Sequence, residues 1–299
     1  MPLDFKSLRV NERFRRLLLS SEPEAVVAFG DPADWTLIEK WTAADLSDMV
    51  SGMEDLAFMN GFAWSYDGLN FTLANGGSQD LYTFPCSVAF DPSTSGTTPT
   101  VVRISSGPSS VMWNDDGTMM YYMRQGHNFF VNFPCPTPWV ISNEAENSQV
   151  TKANVGFTGS AESNFAMNVD ESEFIYEGQT DFDEQVKLVT FTGQDLTTYN
   201  VQATKGINPP IVAVSHNTGL SNLSLDGGSY YQVDTGGIYK ATMSDPGDLS
   251  TLTHGSLIDL NTDLSLGFVI TRVWINPNST GEVWVGALNM SMARLATNV

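Results

Sequence analysis

Short apolar runs, each broken by a polar turn, recur along this chain about every fifty residues. Phe62 to Ser65 enters "YDGL" and the chain returns as Asn70 to Leu73. Val111 to Trp113 enters "NDDGT" and the chain returns as Met119 to Met123. A third run follows each pair, Leu81 to Phe84 and Phe129 to Phe133. A fourth lies in "TVVRISSGP" (Thr100 to Pro108), where Gly-Pro closes the unit. Runs this short, rich in aromatic and β-branched residues and bounded by Asp and Gly, predict antiparallel strands. Gly accepts positive φ at little cost and Asp bonds its own backbone, so both suit the turn.

The unit repeats around Asp67, Asp116, Asp170, Asp226 and Asn278, with a fainter copy around Glu24. Successive turns lie 43, 49, 54, 56 and 52 residues apart. A large apolar residue follows 17 positions later at five of them: Trp41, Phe84, Phe133, Met243 and Leu295. After Asp170 it comes at Phe191, beyond the acidic insert "QTDFDE". Several short strands per unit at this period predict an all-β protein, a propeller of four-stranded antiparallel blades. Six copies over residues 11–299 imply six blades in one domain, with five as the alternative. The last copy stops after its third strand, so an N-terminal strand, Phe5 to Val10, is expected to close the ring and remove a free edge. A helix through "NERFRRLLL" is the competing reading of that segment.

The paired carboxylate in "NDDG" invites a metal-site reading, which the pattern does not support. Calcium loops alternate oxygen ligands along one short segment, and Asp115-Asp116 and Asp170-Glu171 lack that alternation. The turn position is carboxylate at five copies and Asn at one, as backbone hydrogen bonding alone would require. His127, His216 and His254 have no partner at a metal-ligand spacing, and no nucleophile elbow or phosphate loop is present. No catalytic residue, metal or cofactor is therefore assigned. Cys86 and Cys135 occupy equivalent "FPC" positions 49 residues apart, and neighbouring blades hold such positions too far apart for a disulfide. Two free, semi-buried thiols are expected.

Charge narrows the partners. The net charge of −20 opposes binding to nucleic acid, and no stretch is apolar enough to insert in a membrane. No apolar leader opens the chain, so synthesis in a cytoplasm is expected. Residues 1–16 depart from the acidic whole: Lys6, Arg9, Arg13, Arg15 and Arg16 are five of its fourteen Lys and Arg residues. They read as a docking arm for an acidic surface or as a solvated basic face.

Loops between second and third strands vary most, and in a propeller they share a face with the connections between blades. Variable loops on a constant frame are where ligands are met. The candidate binding residues are Asp31, Asp34, Gln79, Asp80, Arg124, His127, Asp181, Asp183, Asp234 and Asn289. The long insert Thr204 to Gly219 is a further candidate contact surface.

"DDGTMMYYM" (Asp115 to Met123), "FFVNF" (Phe129 to Phe133) and "TPWVIS" (Thr137 to Ser142) together resemble a repeat of bacteriophage virion propeller proteins, and "LIEKWTAADLS" (Leu37 to Ser47) resembles its latter half. The resemblance implies a β-propeller in a tail fibre or another exposed structural place, and it carries over no catalytic residues. The expectation is a non-enzymatic virion protein that contacts other tail or capsid subunits, and a host surface glycan or protein, as an oligomer in the particle. A capsid decoration or head-fibre protein, a propeller glycan hydrolase and an intracellular protein-binding propeller are the alternatives.

Overall fold

In a computed structural model, the chain forms a ring of five antiparallel sheets. The structure describes residues 35–297, except 52, 54–58, 105–106, 125–128, 142–145, 158–163, 169–170, 172, 180–183, 207–222, 225–226, 235–236, 261–263 and 277–280. Strand β1 (Trp35–Trp41) and helix α1 (Ser47–Ser51) come first. Blade one follows as β2 (Met59–Trp64), β3 (Asn70–Asn75), β4 (Asp80–Pro85) and β5 (Thr100–Arg103). Blade two is β6 (Pro108–Trp113), β7 (Met119–Arg124), β8 (Phe129–Pro134) and β9 (Ser148–Thr151). Blade three is β10 (Asn164–Met167), β11 (Phe174–Gln179), β12 (Glu184–Thr192) and β13 (Asp195–Gly206).

Blade four shows β14 (Ser229–Asp234), β15 (Gly237–Met243) and β16 (Leu252–Ile258), which hold second to fourth positions. Its first-strand position falls outside the described residues. Blade five is β17 (Arg272–Ile275), β18 (Glu282–Gly286) and β19 (Met292–Thr297), with β1 as its outermost strand.

That last pairing corrects two expectations. The ring is closed by an N-terminal strand, but the strand is Trp35–Trp41, which runs antiparallel to β19 from Trp35↔Thr297 to Trp41↔Met292. It holds the edge of β19 that Phe5 to Val10 was expected to take, and Phe5 to Val10 lie outside the described residues. The faint copy ending at Trp41 is therefore no blade of its own. Its second half completes blade five, and the five-bladed alternative is the one observed.

The first-to-second turns of blades one to four are built alike. The opening residue is Ser65, Asn114, Asn168 or Ser224, and the side-chain oxygen accepts from the backbone N–H five residues on, at 2.8, 3.0, 3.0 and 2.9 Å. Asp67 and Asp116 accept from the N–H two residues on, both at 2.9 Å, as their short side chains allow. The fourth position turns left-handed: Gly68 (φ 73°), Gly117 (φ 71°), Gly227 (φ 73°), and in blade three Glu171 (φ 60°).

Cores lie between blades. One apolar cluster joins blades five, one and two, and others join two to three, three to four and four to five, so the ring is continuous. Trp41 stacks on Trp284 at 5.2 Å and Trp284 meets Trp64 of blade one at 5.1 Å. The closing strand is thus tied to the blade beyond as well as to its own. The Trp113 indole of blade two donates to the Thr72 hydroxyl of blade one at 2.9 Å.

The 17-residue offset survives at Phe84 and Phe133, which pair with Phe71 and Met120. At Met243 it selects a different position. The Met243 N–H donates to Gly228 O as Cys86 does to Leu69 O and Cys135 to Thr118 O. Two residues join β14 to β15, whereas four join β3 to β4, and this shifts the alignment.

Candidate functional site

The ring has two faces. Second-to-third loops and interblade connections lie on one, the loop face. First-to-second turns and third-to-fourth connections lie on the other, the turn face. Of the ten candidate loop residues, Asp31, Asp34, His127, Asp181 and Asp183 lie outside the described residues, as do Lys6, Arg9, Arg13, Arg15 and Arg16. Most of the insert Thr204 to Gly219 lies there too; Thr204 to Gly206 end β13. Asp234 ends β14 opposite Gly237.

The other four are held differently. Asp80 is buried and belongs to the frame: it accepts from Arg103 Nε at 2.9 Å and Nη2 at 3.1 Å, and from the Tyr82 hydroxyl at 3.1 Å. Burial raises its pKa, but the bonds from Arg103, Ser78 and Tyr82 outweigh that and hold the carboxyl below its ordinary value. Arg124 bonds Glu146, which also accepts from the Tyr122 hydroxyl, and its guanidinium lies 5.8 Å from the centre of the Phe129 ring. Gln79 is exposed with φ 62°, and Asn289 is exposed with Oδ1 accepting from Ser291 N at 3.2 Å. Gln79 and Asn289 are thus the candidates that present themselves on the loop face; Asp80 and Arg124 hold blades one and two.

The acidic turn Asp115-Asp116-Gly117 is architecture. Asp116 Oδ1 is taken by Thr118 N and Oγ1, at 2.9 and 2.5 Å. Trp139, itself at φ 63°, lies over Gly117 so closely that a Cβ there would enter the indole ring. Phe90 (φ 57°) covers Gly68 in the same way. Neither cysteine is in a disulfide and both are buried, deeper than expected, and burial together with Asp91 pushes the Cys86 thiol up to about 12.

Of the polar groups that the pattern did not disclose, Glu171 and Glu177 reach across to a neighbouring blade and Glu282 is held within blade five. Glu171 accepts from the Tyr121 hydroxyl of blade two and from Gln194 Nε2 at 3.3 and 3.1 Å. Burial is the main reason its pKa is raised, with the charge of Asp116 adding to it against the donors Tyr121, Gln194 and Asn114. Glu177 accepts from Tyr230 of blade four at 2.5 Å. Glu282 takes Asn276 and Trp284 at 3.0 Å each and Arg294 at 2.7 Å. One signal was visible for Glu171: a carboxylate stands where aligned turns carry glycine. Among the described residues no group of three or more His, Cys, Asp or Glu could hold a metal ion.

No family model and no curated protein sequence matches this chain. Solved structures are similar to it at low identity. A candidate 6-phosphogluconolactonase from Bacteroides uniformis is 13% identical, with TM-score 0.44, over 67% of this chain and 55% of that one. Its counterpart from Bacteroides fragilis is 14% identical, with TM-score 0.43, over 64% and 52%. A chain of a nidogen/laminin complex is 7% identical, with TM-score 0.48, over 76% and 71%. The chain thus spans about half the length of the two lactonase-type structures.

Proposed function

We propose that this propeller is a non-enzymatic structural component of a bacteriophage particle, placed in the tail, where its loop face meets other virion subunits or the host surface. The observation that carries the reading is how its most suggestive chemistry is used. Asp67, Asp80, Asp116 and Glu282 are each bound within a turn or between strands of their own blade. Carboxylates so engaged build a frame and leave recognition to the variable loops. The phage assignment rests on the sequence resemblance of Asp115 to Ser142. In the fold those residues comprise the turn, the second and third strands and the Trp139 cover.

Mass spectrometry and labelled-antibody microscopy of purified particles test the reading. The protein should be present in fixed copy number at the tail; absence from particles overturns it, and labelling of the head moves it to the capsid-decoration alternative. Deleting residues 1–16 should lower incorporation of a still folded chain if the basic segment docks on neighbouring subunits.

A further inference from the structure

The junction between blades three and four holds a buried carboxylate that, among the described residues, has no fixed cation in an ion pair with it. Glu177, 2% exposed, points from β11 towards blade four. Its Oε1 accepts from Tyr230, while buried Oε2 has no hydrogen-bond partner. His254 on β16 brings Nε2 to 3.9 Å from Oε1, and that nitrogen is also buried without a hydrogen-bond partner. The cross-strand row explains the approach: Tyr230 pairs with Ala241 and Ala241 with His254, so a methyl group separates the two larger side chains.

The groups that face Glu177 can be named element by element among the described residues. β14 contributes Tyr230, and β16 contributes His254. β13 contributes Lys205, whose ammonium is engaged by Ser250 O at 3.0 Å and Leu252 O at 2.5 Å. Lys187 of β12 turns to the other side of the blade and bonds Val155 O and Gly156 O. β15 offers the apolar Ala241. A buried carboxylate without a counter-charge is costly, and imidazole is the side chain that gains a charge between pH 5 and 8.

We infer that His254 and Glu177 form a proton-operated clasp between blades three and four, open with neutral imidazole and closed as an imidazolium–carboxylate pair. The inference does not depend on the virion reading. A base that gains a partner on folding adds stability at low pH and loses it as pH rises through its titration.

The test is a double-mutant cycle on the full chain with His254→Gln, Glu177→Gln and both together, read as thermal midpoints at pH 5.5 and pH 8.5. The other two histidines, His127 and His216, are present in every variant, so their contribution cancels. At pH 5.5 the single effects should exceed additivity by about 3 °C, and at pH 8.5 they should add to within about 1 °C. Equal coupling at both pH values, or none at pH 5.5, overturns the clasp. If Glu177→Gln does not fold, the His254→Gln chain decides: it should lose less on going from pH 5.5 to 8.5 than the wild type, and an unchanged pH slope overturns the proposal.

Discussion

Blades one and two meet the same turn requirement as blade three by opposite means. In the first two, glycine takes the left-handed position and an aromatic ring from the third-to-fourth connection closes over it, Phe90 on Gly68 and Trp139 on Gly117. In blade three the position is Glu171, which bears the left-handed backbone at φ 60° and spends its side chain on Tyr121 of blade two and on Gln194. The ring-covered turn seals its own blade. The carboxylate turn links two blades.

Substituting the covered glycines breaks the first device most severely. Gly117→Ala must find room against Trp139 and also hold a left-handed alanine, and about 3 kcal/mol of unfolding free energy should be lost in urea titration. Gly193→Ala is the control in blade three: its φ is 61° but open space lies above it, so only the backbone cost of about 1 kcal/mol is expected. Equal losses at the two sites would show that the ring contributes nothing.

Next in size is the ring itself. Trp139 lies 5.4 Å from Trp113 and packs on the core of blades one and two. Trp139→Ala should cost about 2 kcal/mol, and in that background Gly117→Ala should fall to the level of the Gly193 control. A penalty that stays large would place the crowding elsewhere.

The carboxylate device gives a smaller effect with a distinctive pH dependence. The folded Glu171 carboxyl is raised, so its contribution is full at low pH and is lost as pH rises through its folded value. Glu171→Gln removes that titration and should flatten stability against pH, with the variant gaining on wild type by about 1 kcal/mol at pH 8. Parallel curves for the two proteins would mean that Glu171 titrates alike folded and unfolded.

This contrast also marks how far the sequence could be read. The second and third strands of blades one and two were legible to within two residues because Asp-Gly turns and aromatic runs are local signals. The first strands begin three residues earlier than read, and β9 was not read. Pro108, taken as the end of blade one, opens β6 after β5 has stopped at Arg103. The closing strand was misplaced because nothing local says which edge Trp35–Trp41 will pair with; that is settled by Trp41 stacking on Trp284, some 240 residues away in the chain. Asp80 read as a loop residue because its partner Arg103 lies across a strand pair and not beside it in sequence. The carboxylates between blades were missed for the same reason. A Glu on a turn or a strand looks exposed until the neighbouring blade supplies Tyr121, as it does for Glu171, or Tyr230, as it does for Glu177.

The smallest perturbation is chemical labelling of the cysteines, which compares blades one and two without altering either. Cys86 and Cys135 make the same backbone bond, to Leu69 O and Thr118 O, and are 7% and 1% exposed. Burial favours the Cys86 thiol over the reactive thiolate and shields both sulfurs, so neither should react with a disulfide reagent in the folded chain at pH 8. Under mild denaturant both should label, since each becomes reachable only when its turn opens. If the two ring-covered turns belong to one cooperative unit, as their shared apolar cluster implies, the two thiols should label at equal rates. Faster labelling at Cys86 would instead mean that blade one opens alone, and that the Trp139 cover holds more firmly than the Phe90 cover.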